Sequence, residues 1–208
     1  PPLSIRWIRS NFLIIVIVLL ICVPFSAITV KRITAWVDSL TLFATDVRTG
    51  ENSAQNLLHY GSDLVIRATV EKDKKVKDSL VTLGMSAIRK ALVIHPSFGD
   101  AMFRYAYGYE VKLTYKPENR YVDSCIYFFN RAIEYAPTLA DAYRHLGLIY
   151  EWLQRYDVAS YYYNTAFRIN PQLLLAKEKA EEIRKTRGLD VKVNPLSGKP
   201  GKAETLRY

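Results

Sequence analysis

A proline-to-proline interval of 34 residues, Pro137 to Pro171, constrains this chain more than any other feature. Its last 32 residues, from Ala140, read ADAYRHLGLIYEWLQRYDVASYYYNTAFRINP. Tyr143, Leu146 and Tyr150 recur at helical spacing, then Tyr163 and Phe167 do so again, which predicts two apolar stripes on two successive helices. Gly147 and Ala159 are small, as required where the two helices cross closely. Pro171 ends the second helix because proline has no N–H for the hydrogen-bond ladder. A hairpin of two helices cannot bury both of its faces alone, so neighbours built the same way are expected on either side.

The neighbours are found by counting outward. Gly99 to Pro137 places Met102, Tyr105, Ala106 and Tyr109 where the clearest hairpin has Tyr143, Leu146, Gly147 and Tyr150, with Cys125, Phe129 and Ala132 on the second helix. Ala54 to Pro96 places Leu57, Tyr60, Gly61 and Leu64 likewise, followed by Gly84, Ile88 and Ala91. Both copies are longer than the clearest one. The first holds its excess near VEKDKKVKD, read as a helix extension or a solvated loop, and the second near Pro117. This pattern resembles the tetratricopeptide repeat, in which antiparallel helix pairs stack into a right-handed superhelix. The expected fold is therefore all-α, with about three hairpins (54–96, 99–137 and 140–171, within 54–172). Leu173, Ala176, Ala180 and Ile183 lie on one side of 173–188, which predicts a capping helix ending at Gly188. Residues 189–208 lack periodic apolar spacing and read as a flexible tail.

Upstream of the repeats, Phe12 to Val30 contains no charged residue. As a helix of about 1.5 Å rise per residue this run is long enough for a bilayer's hydrocarbon core, so 12–33 reads as a transmembrane helix, with 1–11 flanking it. A cleaved signal peptide is the alternative, disfavoured because cleavage after Ala27 would leave bulky Phe25 at a position that wants a small residue. Arg6 and Arg9 on one side nearly balance Lys31 and Arg32 on the other, so charge scarcely sets the topology. Residues 34–53 form a junction, with a lone helix around Leu40, Phe43 and Val47 docked on the first repeat.

The formal charge of +9 is concentrated at the ends, with 33–172 near neutrality, which argues against a nucleic-acid surface. Lys72, Lys74, Lys75 and Lys77 alternate with acids and read as a solvated face. Cys22 and Cys125 read as small buried side chains rather than a disulfide or metal pair. No Walker loop, GxSxG, HExxH or zinc-spaced cysteine pair occurs, so no catalytic, cofactor or metal residue is assigned. His59, His95 and His145 occupy ordinary places in the repeat.

Function is expected on the concave face, lined by the first helix of each hairpin. The repeat pattern puts Leu58 and Ser62 there from the first hairpin. Asp100, Phe103, Tyr107 and Glu110 come from the second, and Asp141, Arg144, Leu148 and Glu151 from the third. Phe103 and Tyr107 are rigid aromatics suited to anchoring a bound peptide, or else to packing on the neighbouring hairpin. Glu110 and Glu151 fall at equivalent positions and read as surface acids pairing with Arg104, Arg144 or Arg155. The expected partner is a protein or an extended peptide in this groove, with the membrane contacted through Phe12–Val30 and no nucleic acid.

At the junction, the apolar span followed by Trp36, Asp38, Leu42–Phe43, Asp46, Ser53–Ala54 and Gly61 resembles the C-terminal part of transmembrane-and-tetratricopeptide proteins of the protein O-mannosyltransferase type. That resemblance implies repeats on the extracytoplasmic (periplasmic or lumenal) side, and a glycosyltransferase body preceding this segment. The catalytic acids of such enzymes lie in early membrane loops, and no segment here corresponds to them. Two expectations follow: a membrane-tethered, non-catalytic scaffold, and the extracytoplasmic arm of a multi-spanning glycosyltransferase.

Overall fold

The computed structural model describes residues 12–33, 38–49 and 53–188. Among the described residues there are nine α-helices and no strand. They are α1 (Phe12–Ile33), α2 (Ser39–Thr49), α3 (Ala54–Val70), α4 (Lys74–Ile94), α5 (Gly99–Leu113), α6 (Asn119–Tyr135), α7 (Ala140–Trp152), α8 (Tyr156–Ile169) and α9 (Leu174–Arg187). Helices α3/α4, α5/α6 and α7/α8 pair as hairpins. α4 packs on α5, α6 on α7, and α3 also reaches α5. α2 covers the outer side of α3, and α9 closes the other end against α8. The expected flanking segment 1–11 and tail 189–208 lie outside the described residues, as does Trp36.

Small residues set the closeness of each hairpin. A Cβ on Gly61 would sit 2.5 Å from the Gly84 carbonyl oxygen, so α3 and α4 meet backbone to backbone. In the third hairpin the contact differs: a Cβ on Gly147 would lie 2.6 Å from the ring of Tyr163. Glycine there makes room for an aromatic ring rather than for a helix backbone. Tyr163 and Tyr162 are both buried, and Tyr162 lies against the preceding hairpin, its hydroxyl donating to Asn130 at 3.4 Å. The buried side chains form three successive clusters, around Ile88, Phe129 and Tyr163, as a stack of hairpins requires.

The excess length of the first repeat extends its helices. α3 has 17 residues and α4 has 21, leaving only Glu71–Asp73 between them. The Asp73 carboxylate accepts from the amides of Lys75 and Val76 at 2.7 and 3.1 Å, starting α4 with an N-cap. Gly188 adopts φ +61° after α9, the left-handed conformation that terminates helices and suits glycine.

α1 forms over the expected run, and its side chains from Phe12 to Val30 are exposed wherever described, apart from half-exposed Val16. Cys22 is exposed on it, correcting the expectation of burial, whereas Cys125 is fully buried in α6. Among the described residues, no helix is long and apolar enough to cross a membrane.

Candidate functional site

The first helices α3, α5 and α7 present equivalent positions to one face, but the ten residues assigned to it fall into different environments. Leu58, Ser62 and Phe103 are buried, at 5%, 9% and 7% exposure. Tyr107, Glu110, Asp141, Arg144 and Glu151 are half-buried, and only Asp100 and Leu148 are exposed. Phe103 is therefore a core side chain and not a free anchor. Its ring packs against Phe129 at 5.7 Å and edge-on to His145 at 5.5 Å. The reason is geometric: stacking rotates α5 so that this position meets the next hairpin as well as the groove.

Over repeats two and three the face is occupied by internal partners. Glu110 Oε2 lies 2.6 Å from His145 Nδ1, and an Arg144 guanidinium nitrogen lies 2.7 Å from His145 Nε2. A guanidinium only donates, so Nε2 accepts from Arg144 and Nδ1–H donates to the Glu110 carboxylate. The imidazole is thereby fixed between these two groups, against Phe129 on one side and edge-on to Tyr107. Arg144 also donates to Asp141 at 3.2 Å. Burial, followed by the Glu110 charge, raises the ionisation of the Tyr107 hydroxyl above its ordinary value. Glu151 accepts from the Tyr163 hydroxyl at 2.6 Å and from Lys179 of α9 at 3.1 Å. Glu110 and Glu151 thus pair with His145, Tyr163 and Lys179, not with the arginines expected from the sequence. His145, read as ordinary, is the hub between hairpins two and three.

Over repeats one and two the face is open. A depression of about 310 Å³ lies between α2, α3, α5 and the start of α7. Phe43, Ile66 and Phe103 supply its apolar surface, and Asp63, Asp100 and Arg104 its charges. Arg104 lies over the Phe103 ring, 5.3 Å from its centroid. Asp63 is held by the Ser39 hydroxyl at 2.8 Å and by Arg67 at 3.4 Å, whereas exposed Asp100 forms no ion pair among the described residues. The Ser62 hydroxyl, also on the wall, is buried and has no hydrogen-bond partner among the described residues. An orphaned buried hydroxyl costs about 1–3 kcal/mol, which marks this wall as incompletely satisfied. Sequence reasoning selected Leu58, Ser62, Asp100, Phe103 and Asp141 here but missed Phe43, Ile66 and Arg104. The signal for Ile66 was its spacing, one helical turn beyond Ser62; in the structure it is 46% exposed although apolar.

No cluster of three or more His, Cys, Asp or Glu side chains suited to a metal ion occurs among the described residues.

Comparison with known proteins bears on the repeats. Residues 140–173 match the tetratricopeptide repeat family. Two crystal structures of MamA superpose with TM-scores of 0.50 and 0.53, each at 19% identity. They cover 72% and 76% of this chain, and 77% and 78% of MamA. A thermophilic tetratricopeptide repeat protein of Thermus thermophilus, TTC0263, superposes with a TM-score of 0.59 at 14% identity, covering 69% of this chain and 70% of its own. No curated protein matches the chain significantly. At such identities these likenesses establish the fold alone, an all-helical array of the tetratricopeptide type. None of them carries the O-mannosyltransferase resemblance of the junction.

Proposed function

With a tetratricopeptide-type array as the premise, we propose that the chain is a membrane-tethered scaffold that holds a segment of a partner protein in its concave groove. The observation that supports this reading best is the contrast within that groove. Repeats two and three close their polar groups on each other, while repeats one and two leave an apolar-floored depression with Asp100, Arg104 and Ser62 on its wall. An extended segment would lay an apolar side chain on Ile66 and Phe43. It would offer a cationic group to Asp100, an acidic one to Arg104, and a backbone or side-chain polar atom to Ser62. Such a site binds and orients, and none of its groups makes a nucleophile or acid–base pair.

The tether is α1. Its uncharged run Phe12–Val30 and its exposed Phe12, Leu20 and Phe25 support insertion in a bilayer, and Pro24 near its end is tolerated in such helices. The junction resemblance supports an extracytoplasmic location for the repeats.

The test is selection of binders from a random peptide display library against the full chain in detergent. Selected peptides are expected to bind at least about tenfold more weakly to Arg104→Ala and Ile66→Asp variants, the loss of one hot-spot contact. Peptides whose affinity ignores both substitutions would exclude the depression as the binding site.

A further inference from the structure

The two rims of the array differ in charge, and the basic one is the rim at which α1 joins the repeats. At one rim the helices of each hairpin are joined, through the α3–α4, α5–α6 and α7–α8 loops. At the other, successive hairpins are joined. The start of α2 lies at the first rim, because Arg67 near the end of α3 bonds Asp38 at 3.2 Å and the Ser39 hydroxyl donates to Asp63. The end of α9 lies there too, with Arg187 donating to the Tyr156 hydroxyl at 3.0 Å. Five Cα steps separate Ile33 from Asp38, so the end of α1 is within about 18 Å of this rim.

Along it, residues 67–78 hold five Lys/Arg against three Asp/Glu, 111–121 three against one, 150–158 one against two, and 184–188 three against none. At the opposite rim, segments 89–100, 131–141 and 167–178 together hold five against four. Internal bonds engage the acids of this rim, and with them Lys116 and Arg120. Asp78 pairs with Lys116 at 2.9 Å, while Glu71 and Asp73 accept from backbone amides of the α3–α4 loop and the α4 start. Lys72, Lys74 and Lys75 are exposed and form no ion pair among the described residues. The same rim exposes Val70 (81%) and Val76 (45%) beside these lysines, and Trp152 (59%) at the end of α7. Each alone would be unremarkable. Together with lysines they are the residue types of a membrane interface, where tryptophan sits at headgroup level and lysine stems reach the phosphates.

We infer that this rim, through Lys72, Lys74, Lys75, Val70 and Trp152, rests on the anionic phospholipid surface of the membrane that α1 enters. The recognised chemistry is the headgroup phosphodiester, attracted by surface lysines within a Debye length. The inference rests on the tether reading of α1. It favours lipid over RNA because exposed aliphatic side chains lie among the cations and α1 leads to the same rim. Seating this rim on the bilayer would leave the concave groove open at the side.

The test uses the full chain with Trp7→Phe and Trp36→Phe, which leaves Trp152 as the only tryptophan. It is mixed with vesicles of brominated phosphatidylcholine, either pure or with about 30% phosphatidylglycerol, enough for a strongly negative surface. The chain is expected to float with both vesicles through α1, and Trp152 fluorescence to be quenched only on the anionic ones. High salt, or Lys72→Glu/Lys74→Glu/Lys75→Glu with unchanged circular dichroism, abolishes the quenching, and the matching lysine-to-arginine variant keeps it. Flotation with both vesicles but no quenching of Trp152 would overturn the rim inference and leave the tether standing. Flotation and quenching on anionic vesicles alone would uphold the rim and sink the tether. A glutamate variant that loses binding to a single-stranded RNA probe while its quenching is unchanged would make the rim a nucleic-acid surface and overturn the inference.

Discussion

The concave face is two surfaces built from one repeat. Over repeats two and three, His145 joins Glu110 to Arg144 while Glu151 takes Tyr163 and Lys179, so the polar groups answer one another. Over repeats one and two, neither Ser62 nor Asp100 has a partner among the described residues. Equivalent positions therefore serve cohesion in one half and remain available for a ligand in the other. Substitutions should divide accordingly, costing stability in the first and binding in the second.

The largest effect is expected at the boundary between them. Phe103→Ala removes a ring buried against Phe129 and His145 and should destabilise the chain by about 3–5 kcal/mol in chemical denaturation. A loss under about 1 kcal/mol would return Phe103 to the role of a free anchor. Glu110→Ala leaves the buried His145 Nδ1–H without an acceptor and should cost about 1–3 kcal/mol by the same measurement. Asp100→Ala, exposed and without an ion pair, should change stability by less than about 0.5 kcal/mol while weakening a groove-bound peptide. If Glu110→Ala and Asp100→Ala prove equal in stability, the division into two surfaces fails.

A smaller effect concerns alkaline pH. Burial raises Tyr105 to about 12, and burial with the Glu151 hydrogen bond raises Tyr163 further. Both hold their protons more tightly folded than unfolded, so their contribution is fully present below pH 10. It is lost as pH rises through the folded values. The denaturant midpoint should fall from about pH 10 to pH 12, together with growth of tyrosinate absorbance, and Tyr163→Phe should flatten part of that fall. A midpoint independent of pH in this range would contradict the burial of these rings.

The fold was legible because packing imposes size at fixed spacing. Gly61 with Gly84, Gly147 opposite Tyr163, and the closing prolines mark the hairpins in any copy of the pattern. The groove was less legible. A repeat position says which side of a helix a residue takes, but not how far the next hairpin rotates over it, and that rotation buried Phe103 and Leu58. The partners of Glu110 and Glu151 were hidden for the same reason, since His145 and Lys179 are 35 and 28 residues away and meet them only after stacking. The lysines at 72–77 read as a solvated face in one dimension. Only the placement of α2, α5 and α9 shows that they share a rim with Lys112 and Arg184.

The division of the concave face is tested most directly by methyl NMR of the chain titrated with a library-selected peptide. Shifts are expected at the methyls of Ile66 and Leu58, with Leu148 unmoved. Shifts at Leu148, with Ile66 silent, would contradict the division.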